Sequence, residues 1–444
     1  MMIKRLIFSG IVLCMLFVSR ASGQGNLPVM DHAKMQAVVD SIGVLLVDNY
    51  VFPDKAKEMQ SLIASNLKAG KYDNLTNPND FAASITDDLQ SVNHDLHIHL
   101  MYNPRMVAEL NMVHSPNDSA QIVKLIEQRD ADDNYGFEEV KMLSHGVGYL
   151  KFNGFSGSPN AGKAAEAAMN FLGNAKALII DLRQNGGGSP NMIQILSSYL
   201  YNGSLVHLND FYYRPENATE QRWTLPYVPG KRLGDADVYI LTSRGTFSAA
   251  EEFTYNLKNL KRATIVGETT GGGAHPGDVL PASDEFGIFV PNGRAINPIT
   301  HTNWEGTGVE PDIKVPANDA LLEAHYQAVK KLAEKYERNP DNPYDWTREQ
   351  LQVLNHPIPM SETDLKTYAG SFGPRSIILK DNQLFYRRDQ GVIYPLVYMG
   401  NDRFLIEDLP YFRIHFIRDN GVIVALDGEY DDGRTDRSGK TIQP

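Results

Sequence analysis

A serine at the junction of a strand and a helix is the residue in this sequence best placed to act as a nucleophile. The run Leu241-Thr242-Ser243-Arg244-Gly245-Thr246-Phe247-Ser248-Ala249-Ala250-Glu251 follows the apolar stretch Asp237 to Leu241. That stretch reads as a strand, Gly245 marks a turn, and Ser248 opens a helix with small neighbours. A hydroxyl there is exposed at the strand end, and the helix N-terminus stabilises negative charge. The amide of Ala249 would point where an oxyanion forms, as in other strand-turn-helix nucleophiles. Taken alone, the same serine serves equally as an ordinary N-cap.

Three further clusters carry chemistry. Asp181-Leu182-Arg183-Gln184-Asn185-Gly186-Gly187-Gly188 places three successive glycines after a buried strand. Their amides are unshielded by any Cβ and suit an anion, whether a phosphate or the oxyanion of a tetrahedral intermediate. The loop lacks the Gly-Lys-Ser/Thr end of a P-loop and the G-x-G-x-x-G spacing of a dinucleotide site. In Asn93-His94-Asp95-Leu96-His97-Ile98-His99, alternation puts His97 and His99 on one face and Ile98 on the other. These histidines suit a metal site or a general base. A metal needs a third ligand at a fitting spacing, and none stands nearby. A base needs only a serine and an orienting carboxylate. Glu305, in Trp304-Glu305-Gly306-Thr307-Gly308-Val309-Glu310-Pro311-Asp312, is a candidate for that carboxylate and, on its own, equally a surface residue.

The elements that must position these residues follow from periodicity. Met35 to Tyr50, Ala56 to Ala69 (closed by Gly70) and a helix capped by Asp80 and running to about Leu89 form a small helical domain at 24–103. From 104 to 337, strands and helices alternate: strands at Val147–Phe152, Ala177–Leu182, Asp237–Leu241 and Thr264–Val266, and helices at Ala161–Leu172, Asn191–Leu200, Ser248–Leu260 and Asp319–Lys335. This alternation predicts a layered α/β core. An Asn/Pro-rich linker occupies 338–361. Strands separated by Asp-Asn, Asn-Asp and Asp-Gly turns then predict an antiparallel β domain at 362–444.

The formal net charge is -12 with no Lys/Arg-rich block, which argues against nucleic acid or an anionic membrane as a partner. Lys4 and Arg5 followed by the apolar run Leu6 to Val18 and the small residues of Arg20-Ala21-Ser22-Gly23 read as a signal peptide at 1–23, with a mature start near Gln24. The run falls short of the about 20 apolar residues of a membrane span. The one cysteine, Cys14, lies inside it, so the mature chain is expected to hold no disulfide, thiol nucleophile or thiolate ligand. Export without disulfides suits a bacterial-type periplasm, the cell surface or secretion.

Together these segments resemble the tail-specific (C-terminal processing) serine peptidase family. The likeness is strong over residues 147–315 and weaker over the helical N-terminal domain. It rests on D-L-R-x-N-x-G-G at Asp181–Gly188 and T-S-x-x-T-F-S-A-A-E at Thr242–Glu251, with Gly267-Glu268-Thr269-Thr270-Gly271-Gly272 and Gly308-Val309-Glu310-Pro311-Asp312. The family's serine-lysine branch carries its base in the loop after the nucleophile; that position here is Gly273. The serine-histidine branch resembles the tricorn protease core and the interphotoreceptor retinoid-binding protein. It places a His in a D-x-H segment and a Glu just ahead of G-V-x-P-D, matched by Asp95-Leu96-His97 and Glu305.

The resemblance implies Ser248 as nucleophile, His97 as general base and Glu305 as distal carboxylate, acting directly or through another hydroxyl. Tricorn has a Ser before its His, whereas this chain has Leu96, so any relay hydroxyl must come from elsewhere. The oxyanion would lie between the amides of Ala249 and of Gly187 or Gly188. His275 and His301 lie near matched motifs and are alternative bases, and Ser243 is the alternative nucleophile. The implied fold is α/β: a crotonase/ClpP-like ββα spiral core. Too little chain separates Leu100 from Val147 for a PDZ domain, which needs about 80–100 residues, since small domains rarely fold below about 40. The expected partner is a peptide or protein, with no metal or other cofactor. The competing function is a non-catalytic protein binding a hydrophobic ligand or peptide on the same fold.

Overall fold

The computed structural model describes residues 27–111, 116–336 and 342–441. The leader read at 1–23, the start near Gln24 and Cys14 lie outside the described residues. The chain divides into two compact units, Met1–Ala320 and Leu321–Pro444.

Three helices open the first unit: His32–Asn49, Pro53–Lys68 and Pro78–Asn93. The third is capped by Asn77, whose side chain accepts from the amide of Asn79, with Pro78 at its first position. Asp80, expected as the cap, sits inside the first turn instead. Proline at the first helical position loses no hydrogen bond, which moves the helix start ahead of Asp80. The helices bury Ile42, Leu46, Ile63, Phe81 and Ile85 against Phe286, Ile288 and Val290 of a strand far along the chain. That strand, Phe286–Pro291, is the centre of a three-stranded antiparallel sheet with His99–Tyr102 and Gly277–Pro281 at its sides. A second sheet joins Gly293–Ile296, His207–Tyr213 and Ala218–Trp223. Neither sheet was legible as such, nor were the helices Pro104–Asn111 and Pro116–Asp132.

The core is a six-stranded sheet in the order Ile313–Lys314, Ala263–Gly267, Asp237–Thr242, Ala177–Asp181, Val147–Phe152 and Phe137–Met142. Five strands are parallel and the last pairs antiparallel. Continuous apolar runs such as Ala177-Leu178-Ile179-Ile180 are what a sheet covered on both faces requires. Helices Ala161–Phe171, Pro190–Tyr199 and Ala249–Asn259 supply Ala165, Leu196 and Phe253 to the core around Ile180 and Ile240. This α/β core is the class the sequence implied.

The second unit carries helices Ala320–Glu334, Asp345–Asn355 and Glu362–Tyr368, then four- and five-stranded antiparallel sheets. They enclose Phe372, Phe404, Ile414, Phe416 and Leu426. The stretch read as linker, 338–361, contains a full helix, and the units divide at Ala320 rather than near 338. Asn342 donates to the carbonyl of Ala333, and Asn355 donates to Glu323, so side chains read as turn formers tie two helices together.

Ile240 is fully buried at the centre of the strand leading to Ser248. Ile240→Ala is expected to lower unfolding free energy by about 2–5 kcal/mol, measured by denaturant titration.

Candidate active site

Ser248 is the N-cap of helix Ala249–Asn259 and has φ 55° and ψ -119°. A side-chain-bearing residue rarely adopts that conformation, and such outliers cost of order 1–3 kcal/mol each. Its surroundings over-determine it. Ser248 donates its amide to Oε2 of Glu251. The preceding turn is pinned from the 181–188 loop: Phe247 donates its amide to the carbonyl of Asn185, and Thr246 Oγ1 donates to the carbonyl of Leu182. Ser243 donates its hydroxyl to the carbonyl of Arg183, so the alternative nucleophile is a brace.

The other polar residues of that loop hold its shape. Asp181 accepts from Arg183 and from the hydroxyl of Tyr149, and Arg183 also reaches the carbonyl of Ala317. Asn185 donates to the carbonyl of Phe152 and accepts from the amide of Gly187. The amide of Gly187 is thereby engaged within its own loop. Gly188 has φ 138°, and a Cβ there would stand 2.2 Å from the carbonyl oxygen of Phe155. Gly188 and Ala249 both line a cavity of about 310 Å³ beside Ser248, together with Phe211, Tyr213, Phe289 and Trp304.

His97 comes from the opposite side. Helix Pro78–Asn93 ends on His94 at φ 50°, and Asp95 Oδ1 accepts from the amide of His97, forming a tight turn before strand His99–Tyr102. His97 Nε2 lies 3.1 Å from Ser248 Oγ. Its ring packs on Phe247 with centroids 4.7 Å apart and stacks on Phe289, as does His99. Ile98, fully buried, turns into the helical cluster. Burial pushes His97 down to about 4, with His275 and His99 adding to the effect and Asp95 opposing it. The imidazole is therefore neutral at neutral pH and has a lone pair to offer the hydroxyl.

The expected carboxylate is elsewhere. Glu305 Oε2 accepts from the amide of Ala274 and lies 3.4 Å from Nδ1 of His275, and its Oε1 is buried without a partner. Nδ1 of His97 is likewise buried without a partner among the described residues. Leu96 is 44% exposed and supplies no relay. The carboxylate that serves the His97 turn is Asp95, through its bond to the amide of that residue, while its Oδ2 accepts from His275 Nδ1 at 2.7 Å and from the Tyr50 hydroxyl. His275 thus contacts Asp95 rather than Ser248, and His301 sits in an exposed turn, donating its amide to the carbonyl of Asn297. His99 Nδ1 faces the carbonyl of His97, so the two histidines do not converge on one ion. Asp95, His275 and Glu305 do bring one ligand-type atom each within 4.8 Å, but the nitrogen involved is already shared between the two carboxylates.

Glu251 is the residue whose importance was least visible. Its Oε1 accepts from Thr270 and the amide of Gly272, and its Oε2 accepts from the amides of Gly273 and Ser248. Burial pushes its carboxyl up to about 7, against those hydrogen bonds. The signal was its spacing three residues after an N-cap serine. Gly273, where the serine-lysine branch has its base, has no room for a side chain: a Cβ would stand 2.3 Å from Phe247 Cζ and 2.6 Å from His97 Cε1.

Residues 146–315 match the model of peptidase family S41, and residues 29–137 match that of the N-terminal domain of S41 peptidases in eukaryotic IRBP. The chain is 32% identical over 178 residues to the chloroplastic carboxyl-terminal-processing peptidase 2 of Arabidopsis thaliana, covering 38% of this chain and 32% of that protein. It is 31% identical over 169 residues to the carboxyl-terminal-processing protease of a Synechocystis strain, covering 37% of each. The chain thus spans about a third of the length of these curated relatives. Among solved structures, the photosystem II D1 C-terminal processing protease superposes with a TM-score of 0.42 at 16% identity, covering 68% of this chain and 97% of that one. The tricorn protease gives 0.42 at 14%, covering 72% and 37%.

Glycine tolerates the backbone angles of residue 248. Ser248→Gly is therefore expected to unfold at a higher temperature than Ser248→Ala, by a net of about 1 kcal/mol after glycine's own entropic cost. A glycine variant that melts below the alanine variant, by glycine's entropic cost of about 0.5–1 kcal/mol, would show that the turn is unstrained.

Proposed function

The chain belongs to peptidase family S41, the C-terminal processing or tail-specific proteases, and on that premise we propose that it is an exported serine peptidase acting through an acyl-enzyme. The observation that carries this reading is the 3.1 Å approach of a neutral, buried imidazole to a hydroxyl held on a strained helix-opening turn. In the proposed sequence, His97 Nε2 takes the proton of Ser248 Oγ as that oxygen attacks the peptide carbonyl. The developing oxyanion is received at the start of the helix by the amides of Ala249 and Gly188. Collapse of the tetrahedral species expels the amine, which receives the proton from His97. The same imidazole then deprotonates a water that hydrolyses the ester, returning the free hydroxyl.

Asp95 holds the base by its backbone, and Glu305 acts one residue further out, through His275. A purely ligand-binding role would require neither the strained serine nor the directed histidine. The cavity's aromatic walls and its open side suit an extended peptide. Export is supported by the basic start and apolar run of residues 4–18. Among the described residues no helix is long and apolar enough to cross a membrane.

Ser248→Ala is expected to reduce peptide hydrolysis at least about 1,000-fold with an unchanged circular dichroism spectrum. A fluorophosphonate should modify Ser248 and spare Ser243, as read by peptide mass spectrometry. Retained turnover in the alanine variant would remove the assignment. Because the neutral form of His97 is the active one, activity should be full above its pKa and fall as pH drops through it. The acidic limb of kcat/KM is thus expected near about 4. A midpoint near the ordinary histidine value of 6.5 would show that the base is not the buried imidazole.

A further inference from the structure

His275 is fully enclosed in the protein yet lies between two acids. Its Nδ1 is 2.7 Å from Oδ2 of Asp95 and 3.4 Å from Oε2 of Glu305. Asp95 is wholly buried, and Glu305 is largely so. Two carboxylates this close, away from water, repel each other unless one takes a proton or a cation stands between them. No lysine or arginine forms an ion pair with either one among the described residues; the cationic partner each has is His275. The remaining groups around it are the Tyr50 hydroxyl behind Asp95, the His97 ring, and Arg294, whose charge works against a second positive group. The edge of Phe52 closes the pocket with ring centroids 5.3 Å apart.

The two acids belong to the two segments that must be held in register. Asp95 fixes the turn bearing His97 through the amide of that residue. Glu305 accepts from the amide of Ala274, and its neighbour Trp304 donates to the carbonyl of Gly273, where an added Cβ would meet the His97 ring. We propose that His275 is a positioning residue: as an imidazolium it bridges Asp95 and Glu305 and locks the turn carrying the base to the loop that backs it. The inference rests on the peptidase reading for its kinetic consequence, and on geometry alone for the bridge itself. Burial opposes the charge of His275, but the hydrogen bond and charge of Asp95, followed by Glu305, raise its pKa above the ordinary value. Asp95 is held below the usual carboxylate range by the same contact, against its burial. Burial and the charge of Asp95 push Glu305 up to about 7, with His275 opposing that rise. The 2.7 Å contact to Asp95 is thus the stronger arm of the bridge and the 3.4 Å contact to Glu305 the weaker.

The bridge also sets the field at His97. The positive charge on His275 disfavours a second proton on His97. Removing that charge should therefore raise the pKa of His97 in a variant that melts at the wild-type temperature, a condition that matters because exposing the buried ring would raise it as well. His275→Asn keeps an N–H donor near the Nδ1 position but carries no charge. It is expected to lower kcat by about 10- to 100-fold, the scale of a misplaced catalytic group, with KM changed less than about twofold. The acidic limb of its kcat/KM profile should move to higher pH. His275→Gln, whose donor reaches too far, should be worse than Asn. Wild-type kcat and an unshifted limb in His275→Asn would overturn the proposal. Nitrogen-15 NMR of the histidines in the intact wild-type protein separates this test from the peptidase reading. A doubly protonated His275 at pH 7 supports the bridge even in a protein that cleaves no peptide, whereas a neutral ring overturns it.

Discussion

The contact between residues 97 and 248 depends on a strand that belongs to neither. Phe286–Pro291 pairs with His99–Tyr102 on one side, packs the N-terminal helices through Phe286 and Ile288, and puts Phe289 under the His97 ring. The imidazole is thus delivered by an antiparallel sheet edge, while the hydroxyl is delivered by the parallel core. The two layers meet over the loop 270–276, where glycines at 271–273 allow close approach. Hydrophobic burial fixes each layer, and the loop between them, with the Phe247–His97 ring contact, fixes the distance.

The polar residues beside the site fall into two kinds, and buried charge distinguishes them. Asp181 is stabilised as an anion, mostly against its burial, by a two-pronged bond to Arg183. It stiffens the strand end and touches no reacting group. Glu251 pairs with no cation among the described residues; four N–H and O–H donors share its two oxygens. A carboxylate satisfied by donors from the helix start and from the glycine loop ties the backbone of Ser248 to the loop that separates it from His97. Buried acids of this type are costly to desolvate, and removal of a donor leaves the cost uncompensated.

Much of this was legible in the residues. The parallel strands announced themselves as apolar runs bounded by turn signals, Ser248 opens the helix that its small neighbours predicted, and His97, named from the resemblance, stands 3.1 Å from its hydroxyl. The hairpins at 207–223 and 277–291 were not legible. The first mixes Asn, Asp and Tyr with single apolar residues, the second is a short apolar run beside Gly277-Asp278, and both take further partners a long way off in sequence. The assignment of Glu305 to His97 missed the intervening His275, because a motif gives order along the chain and not which of two imidazoles stands between. Gly187 and Gly188 were equivalent by type. Only the carboxamide of Asn185, which takes one amide, distinguishes them.

The crowding at Gly273 bears on what that position can become. A Cβ there would press on both Phe247 and the His97 ring, so the smallest added side chain collides with an imidazole already in place. A lysine could enter only once the imidazole had left, and an imidazole could arrive only onto a bare backbone. A side chain at 273 and an imidazole at 97 therefore exclude each other, and exchanging one for the other takes changes at positions 176 residues apart. On this scaffold, occupancy of that small volume is a joint property of two distant positions, which no single substitution can exchange.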